Sequence, residues 1–179
     1  SEEARTNLVL WSEDFTNSAF WNTKQGVTIT NETFSNPSGL SLTRKVIAST
    51  NNESQSIRKT TSITTAEYTY SVFIKSAGVS FFQITNLPNT DIVNFNLETG
   101  GYFSSNPSTT VSVSGFADGW FRLSVKFPSN SSGIYHSLVG SLSATRLQSY
   151  QGDGVSGVYL WGAQLEVGSF PTSYIKTQA

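Results

Sequence analysis

The sequence has no cysteine, no methionine, one histidine and only 13% charged residues, about half the charged share usual in a globular domain. Without cysteine, disulfide frameworks and thiolate metal centres are both excluded. A lone imidazole, His136, cannot build a transition-metal site unaided. The formal net charge is −1, and the basic doublets Arg44-Lys45 and Arg58-Lys59 stand isolated. Nothing therefore draws the chain generally to phosphate backbones, and nucleic acid is not an expected partner. No apolar run approaches the roughly 18 residues of a membrane-spanning helix, so no membrane partner is expected either. The chain opens Ser-Glu-Glu-Ala-Arg rather than with methionine, the opening expected of a segment from a longer polypeptide.

Ser, Thr, Asn and Gly fill the space left by charge. Apolar and polar residues alternate with period two, and turn-forming clusters interrupt them every 8 to 15 residues. This pattern predicts strands near Leu8–Ser12, Val27–Thr30, Ser41–Ile47, Ser54–Thr60, Tyr68–Ser76 and Ser80–Asn86. Further strands are predicted near Ile92–Asn96, Thr110–Ser114, Trp120–Phe127, Tyr135–Leu142 and Val158–Val167. One short helical turn is predicted at Ser12–Phe20, with Phe15 and Ala19 on one face. Loops are predicted at Ser104–Thr109 and Ser129–Gly133. Asp118-Gly119 supplies the positive φ angles of a tight primed hairpin turn. Beyond it, Phe121, Leu123, Val125 and Phe127 share a core face, and Trp120, Arg122, Ser124 and Lys126 share a wet one. Many strands without amphipathic helices predict an all-β, two-sheet antiparallel β-sandwich. Residues 1–7 read as a lead-in and residues 8–179 as a single domain.

Catalytic chemistry is thin. A nucleophile triad needs a base held by an acid, and no Gly-x-Ser-x-Gly elbow accompanies the single histidine. Glycoside hydrolysis needs two carboxylates across a cleft, whereas the twelve acids are mostly singletons in turns. Glu13-Asp14 is an adjacent pair in an extended segment, where neighbours point apart. The expectation is a protein that is not an enzyme, with a polysaccharide-degrading activity as the remote alternative.

Three stretches and a close carry a resemblance. They are Ala4-Arg-Thr-Asn-Leu-Val-Leu-Trp-Ser-Glu-Asp-Phe15 followed by Trp21, the strand Tyr68–Gly78, and the hairpin around Asp118-Gly119-Trp120-Phe121-Arg122. The close is Gly152-Asp-Gly-Val-Ser-Gly-Val-Tyr-Leu-Trp-Gly-Ala-Gln-Leu-Glu-Val-Gly168, then Pro171-Thr-Ser-Tyr-Ile175. Together they resemble the carbohydrate-binding-module-like jelly-roll domains of bacteriophage structural proteins. The resemblance implies a jelly roll displayed on a virion surface, as a head spike, head fibre or tail fibre. It implies a homo-oligomer, for example a trimer, contacting virion protein or sister subunits, with host-surface polysaccharide as a ligand.

Under that reading the wet strand faces supply the glycan-binding candidates: Phe73, Lys75, Gln83, Arg122, Ser124, Lys126 and His136. One aromatic among amide, guanidinium, ammonium and imidazole groups is the chemistry of a glycan groove. The same face would serve equally to pack a sister subunit. No organic cofactor is expected. Related jelly-roll modules often hold a structural calcium between first and last strands, and Glu13, Asp14 and Glu166 are the candidates for it. Trp161-Gly162 stands where those modules place acids. Asp153 is expected to form a turn, and Trp11, Trp21 and Trp161 to pack in or around the core.

Overall fold

The computed structural model describes residues 2–60, 67–87, 91–128 and 133–179. The predicted loop Ser129–Gly133 therefore lies, except for Gly133, outside the described residues. Twelve strands run in chain order: β1 (Thr23–Gln25), β2 (Val27–Asn36), β3 (Gly39–Ala48), β4 (Gln55–Thr60), β5 (Tyr68–Ala77) and β6 (Phe81–Leu87). They continue as β7 (Ile92–Asn96), β8 (Tyr102–Ser104), β9 (Thr110–Gly115), β10 (Phe121–Lys126), β11 (Gly133–Val139) and β12 (Gly157–Val167). Period-two alternation is what places them. Tyr70, Val72 and Ile74 of β5, and Leu123 and Val125 of β10, are all buried on the core side. Each such apolar side chain contributes roughly 1.5–3 kcal/mol on leaving water.

Two six-stranded sheets result, in the orders β1-β4-β11-β6-β7-β8 and β2-β3-β12-β5-β10-β9, with every strand pair antiparallel. The late strands insert between early ones: β12 lies between β3 and β5, and β11 between β4 and β6. That wrapping of the chain's end back into both sheets is the jelly-roll arrangement. The core between the sheets holds Trp21, Ile57, Val72, Ile74, Phe82, Ile84, Phe95, Leu138 and Leu160, among others.

The hairpin between β9 and β10 follows its sequence signal. Asp118 (φ 62°) and Gly119 (φ 79°) both take the left-handed region, and Trp120 N–H closes the turn on the Ala117 carbonyl at 3.4 Å. Two short strands, β1 and β8, are edge strands of three residues, too brief to show alternation.

Other expectations are corrected. Leu8–Ser12 is not a regular strand. Leu8 N–H donates to the Leu165 carbonyl and Ala163 N–H to the Ser12 carbonyl, while Trp11 and Ser12 turn their own N–H groups to Gln178 and Thr177. The buried Asn7 side chain joins the pieces, donating to the Ala163 and Ile175 carbonyls and accepting from Val9 and Leu165. Ser12–Phe20 is a chain of turns, closed by Asp14 N–H on Trp11 and Asn17 N–H on Asp14. Phe15 is buried and Ala19 exposed, so they share no face. The predicted strand Tyr135–Leu142 ends at Val139.

The outer face of the β2–β9 sheet is not uniformly wet. Phe73, Trp120 and Trp161 form a second apolar cluster there, with Phe34, Tyr159 and Tyr174 packed against it. Trp120 anchors the β9–β10 turn over this face through its indole N–H to the Ser35 carbonyl at 2.8 Å. The segment after β12 brings Tyr174 against Trp161, with ring centroids 4.7 Å apart.

Candidate functional site

Where the first and last segments meet the β2–β3 hairpin, a cleft of about 220 Å³ opens between Trp11, Glu13, Asp14, Leu42, Arg44, Lys176, Thr177 and Gln178. The terminal segments create it, and neither is a regular strand. Trp11 sits at φ 53°, a conformation that a bulky side chain adopts only when its surroundings hold it. Its N–H donates to Gln178, and its carbonyl accepts from Asp14 N–H and from the Trp21 indole at 3.3 Å. The indole packs partly on the core while lining the cleft.

The charges in the cleft are fixed in pairs. Asp14 Oδ1 accepts from Arg44 Nε and lies 3.2 Å from Arg44 Nη2. Partial burial pushes the Asp14 carboxyl upward, but hydrogen bonds from Thr16 and the Arg44 charge outweigh it and leave its pKa below the ordinary value. Glu13 Oε2 accepts from Tyr174 Oη at 2.8 Å, and its other oxygen lies 3.7 Å from Lys176 Nζ. Ser12 Oγ stands 2.6 Å from the same tyrosine oxygen. Burial, reinforced by Glu13, drives the Tyr174 phenol upward, so it stays protonated and donates. The cleft thus offers an indole surface, carboxylate acceptors, and guanidinium, ammonium and amide donors within one wall set.

The seven glycan candidates do not form one surface. Phe73, Lys75, Arg122, Ser124 and Lys126 share the outer face of the β2–β9 sheet, and Arg122 stands opposite Phe73 in the β10–β5 register. Phe73 is only 6% exposed, enclosed by Trp161, Phe116 and the Arg122 guanidinium, so it presents no flat platform. Lys75 Nζ donates to the Asp118 carbonyl, and Lys126 pairs with Glu67 at 2.8 Å. Ser124 is buried. Gln83 lies on the other sheet, fully buried. Its amide donates to Asn94 Oδ1 and the Thr145 carbonyl, and its oxygen accepts from Leu147 N–H. His136 points into the core, 2.6 Å from Tyr70 Oη, with Phe15, Trp21 and Phe82 around it.

The calcium candidates are likewise separated. Glu13 and Asp14 line the cleft, whereas Glu166 is fully buried elsewhere, accepting from Thr172 N–H, Thr172 Oγ1 and Gln164 Nε2, with Arg5 3.5 Å away. Among the described residues no three His, Cys, Asp or Glu side chains gather as a metal-holding group. Asp153 closes its turn by accepting from the Val155 and Ser156 N–H groups, and these bonds hold its carboxyl down to about 2.

Of the cleft residues, Glu13 and Asp14 were visible in the sequence, though for a different chemistry. Trp11, Arg44, Lys176 and Gln178 carry no such signal in the sequence, because only the meeting of the two terminal segments with β3 brings them together. No family model matches the chain, and no curated protein matches it.

Proposed function

We propose that this chain is a non-catalytic recognition module that binds host-surface glycans in the Trp11 cleft while displayed on a phage virion, as part of a spike or fibre. The observation that carries the reading is the cleft itself. A pyranose presents an apolar ring face and a rim of hydroxyls that both donate and accept, and an indole beside alternating acceptors and donors matches both. Glu13 and Asp14 each face a cation, which suits hydroxyl recognition better than proton transfer. The resemblance of the opening and closing segments to phage jelly-roll domains supports the virion setting.

The test is a glycan array followed by titration calorimetry on the best ligand. Trp11→Ala and Glu13→Gln are each expected to weaken binding at least about tenfold, the scale of one lost anchoring contact. If no saccharide binds, or if both variants bind as the parent does, the cleft is not the site.

A structural role in assembly is the second reading, and one feature favours it. β2 is a ten-residue edge strand with Glu32 as its only charge and no proline, and long unblunted edges invite pairing. Sedimentation analysis would bear this out if Thr33→Lys converts an oligomer to a monomer.

A further inference from the structure

We infer that the outer face of the β1–β8 sheet carries a second binding site, built around Arg58, Arg146 and Tyr135, for a saccharide bearing a carboxylate or phosphate group. The strand register assembles most of it. Arg58 stands opposite Thr23 on one side and Tyr135 on the other, and Tyr135 stands opposite Thr85. In the next row Ser56 lies between Gln25 and Ser137. Ile57, between these rows, points into the core, so these side chains face outward.

Arg146 arrives from the segment after β11. Gln83 grips that segment on both sides of it, accepting from Leu147 N–H and donating to the Thr145 carbonyl. The guanidinium carbons of Arg58 and Arg146 lie 4.9 and 5.6 Å from the Tyr135 ring centroid. Stacking on a ring leaves the N–H edges of a guanidinium free to fork onto an oxyanion.

Two observations point to a ligand. Neither arginine makes an ion pair among the described residues, and residues 1, 61–66, 88–90 and 129–132 include no acid. Among the described residues Arg58 hydrogen-bonds to neutral partners, Ser56 Oγ and Gln25 Oε1. In addition, among the described residues Ser137 Oγ and Arg146 Nε are buried without a hydrogen-bond partner, and Ser137 is only 2% exposed. Unpaired buried donors beside two uncompensated cations form an arrangement that an oxyanion completes.

This site is independent of the Trp11 cleft, which is lined by none of its residues. Its test is titration of the full chain with an oligouronate, with inorganic phosphate and with a neutral oligosaccharide, alongside Arg58→Gln and Arg146→Gln. The parent is expected to bind at least one of the two anions, weakening with added salt, and to lose about tenfold or more in either variant. Uronate without phosphate assigns a carboxylate ligand; phosphate without uronate assigns a phosphate one. Thermal unfolding of Arg146→Gln near the parent value, together with partial retention of binding in Arg146→Lys, ties the loss to the guanidinium. Binding of neither anion, or binding unchanged in both glutamine variants, overturns the proposal. Trp11→Ala leaves this binding unchanged, so the two sites succeed or fail separately.

Discussion

At the scale of single residues, the core enforces two unusual conditions. His136 is enclosed by Phe15, Trp21 and Phe82 with Tyr70 as its polar neighbour, and burial lowers its pKa from 6.5 to about 3. Between those values the unfolded chain binds a proton that the folded one refuses. Stability from this residue is therefore complete above about pH 6.5 and drains away as the pH falls towards 3, at up to about 1.4 kcal/mol per pH unit. Urea midpoints measured from pH 8 to pH 4 are expected to show this decline, and His136→Gln to flatten it. Parallel profiles for parent and variant would remove the imidazole as the cause. Gly157 is the other condition. A Cβ there would lie 1.7 Å from the Val46 carbonyl oxygen, where β12 crosses β3. Gly157→Ala is expected to cost at least about 3 kcal/mol, read as a drop in the unfolding midpoint.

At the scale of elements, alternation was legible wherever a strand packed one face on the core. β5, β10 and β12 are legible almost to their ends for that reason, and Asp118-Gly119 between alternating residues marks the hairpin of β9 and β10. Leu8–Ser12 has the alternation of a strand, yet with Asn7 it carries its bonds irregularly. Asn7 does with a side-chain amide what a ladder does with backbone, and no sequence period records that. The amide serves four backbone partners, three of them in buried bonds, so Asn7→Ala leaves several of them unmet. The expected cost is about 3 kcal/mol. Hydrogen exchange should show Leu165 and Val9 amides losing protection, while amides of β4 and β11 keep theirs. Uniform exchange across both sheets would instead mean that the N-terminal segment and the sheets open as one unit.

At the scale of the whole molecule, what the sequence could not show is how its ends meet. The wet-face candidates followed from strand parity, and parity did place Phe73 and Arg122 side by side. It could not reveal that Tyr174 and the β9–β10 turn would cover Phe73, or that Arg146 would reach Tyr135 from a distant segment. The segment after β12 is the piece that decides both the cover and the cleft. Thr172 satisfies the buried Glu166 carboxylate, Ser173 binds Glu2, Tyr174 binds Glu13, and Ile175 N–H donates to Gln164 at 2.7 Å. Deleting residues 170–179 would strip Glu166 of its Thr172 bonds, uncover Trp161 and remove one wall of the cleft. Leaving a buried carboxylate short of partners is costly, so the truncated chain is expected to lose more than about 3 kcal/mol. Its far-UV circular dichroism should persist, because the strand pairs of both sheets are formed without the tail. Its near-UV signal should fall as the Trp161–Tyr174 contact disappears, and glycan binding in the cleft should vanish while oxyanion binding at Arg58 and Arg146 survives. An unchanged unfolding midpoint would show that the tail merely rests on a sandwich already complete without it.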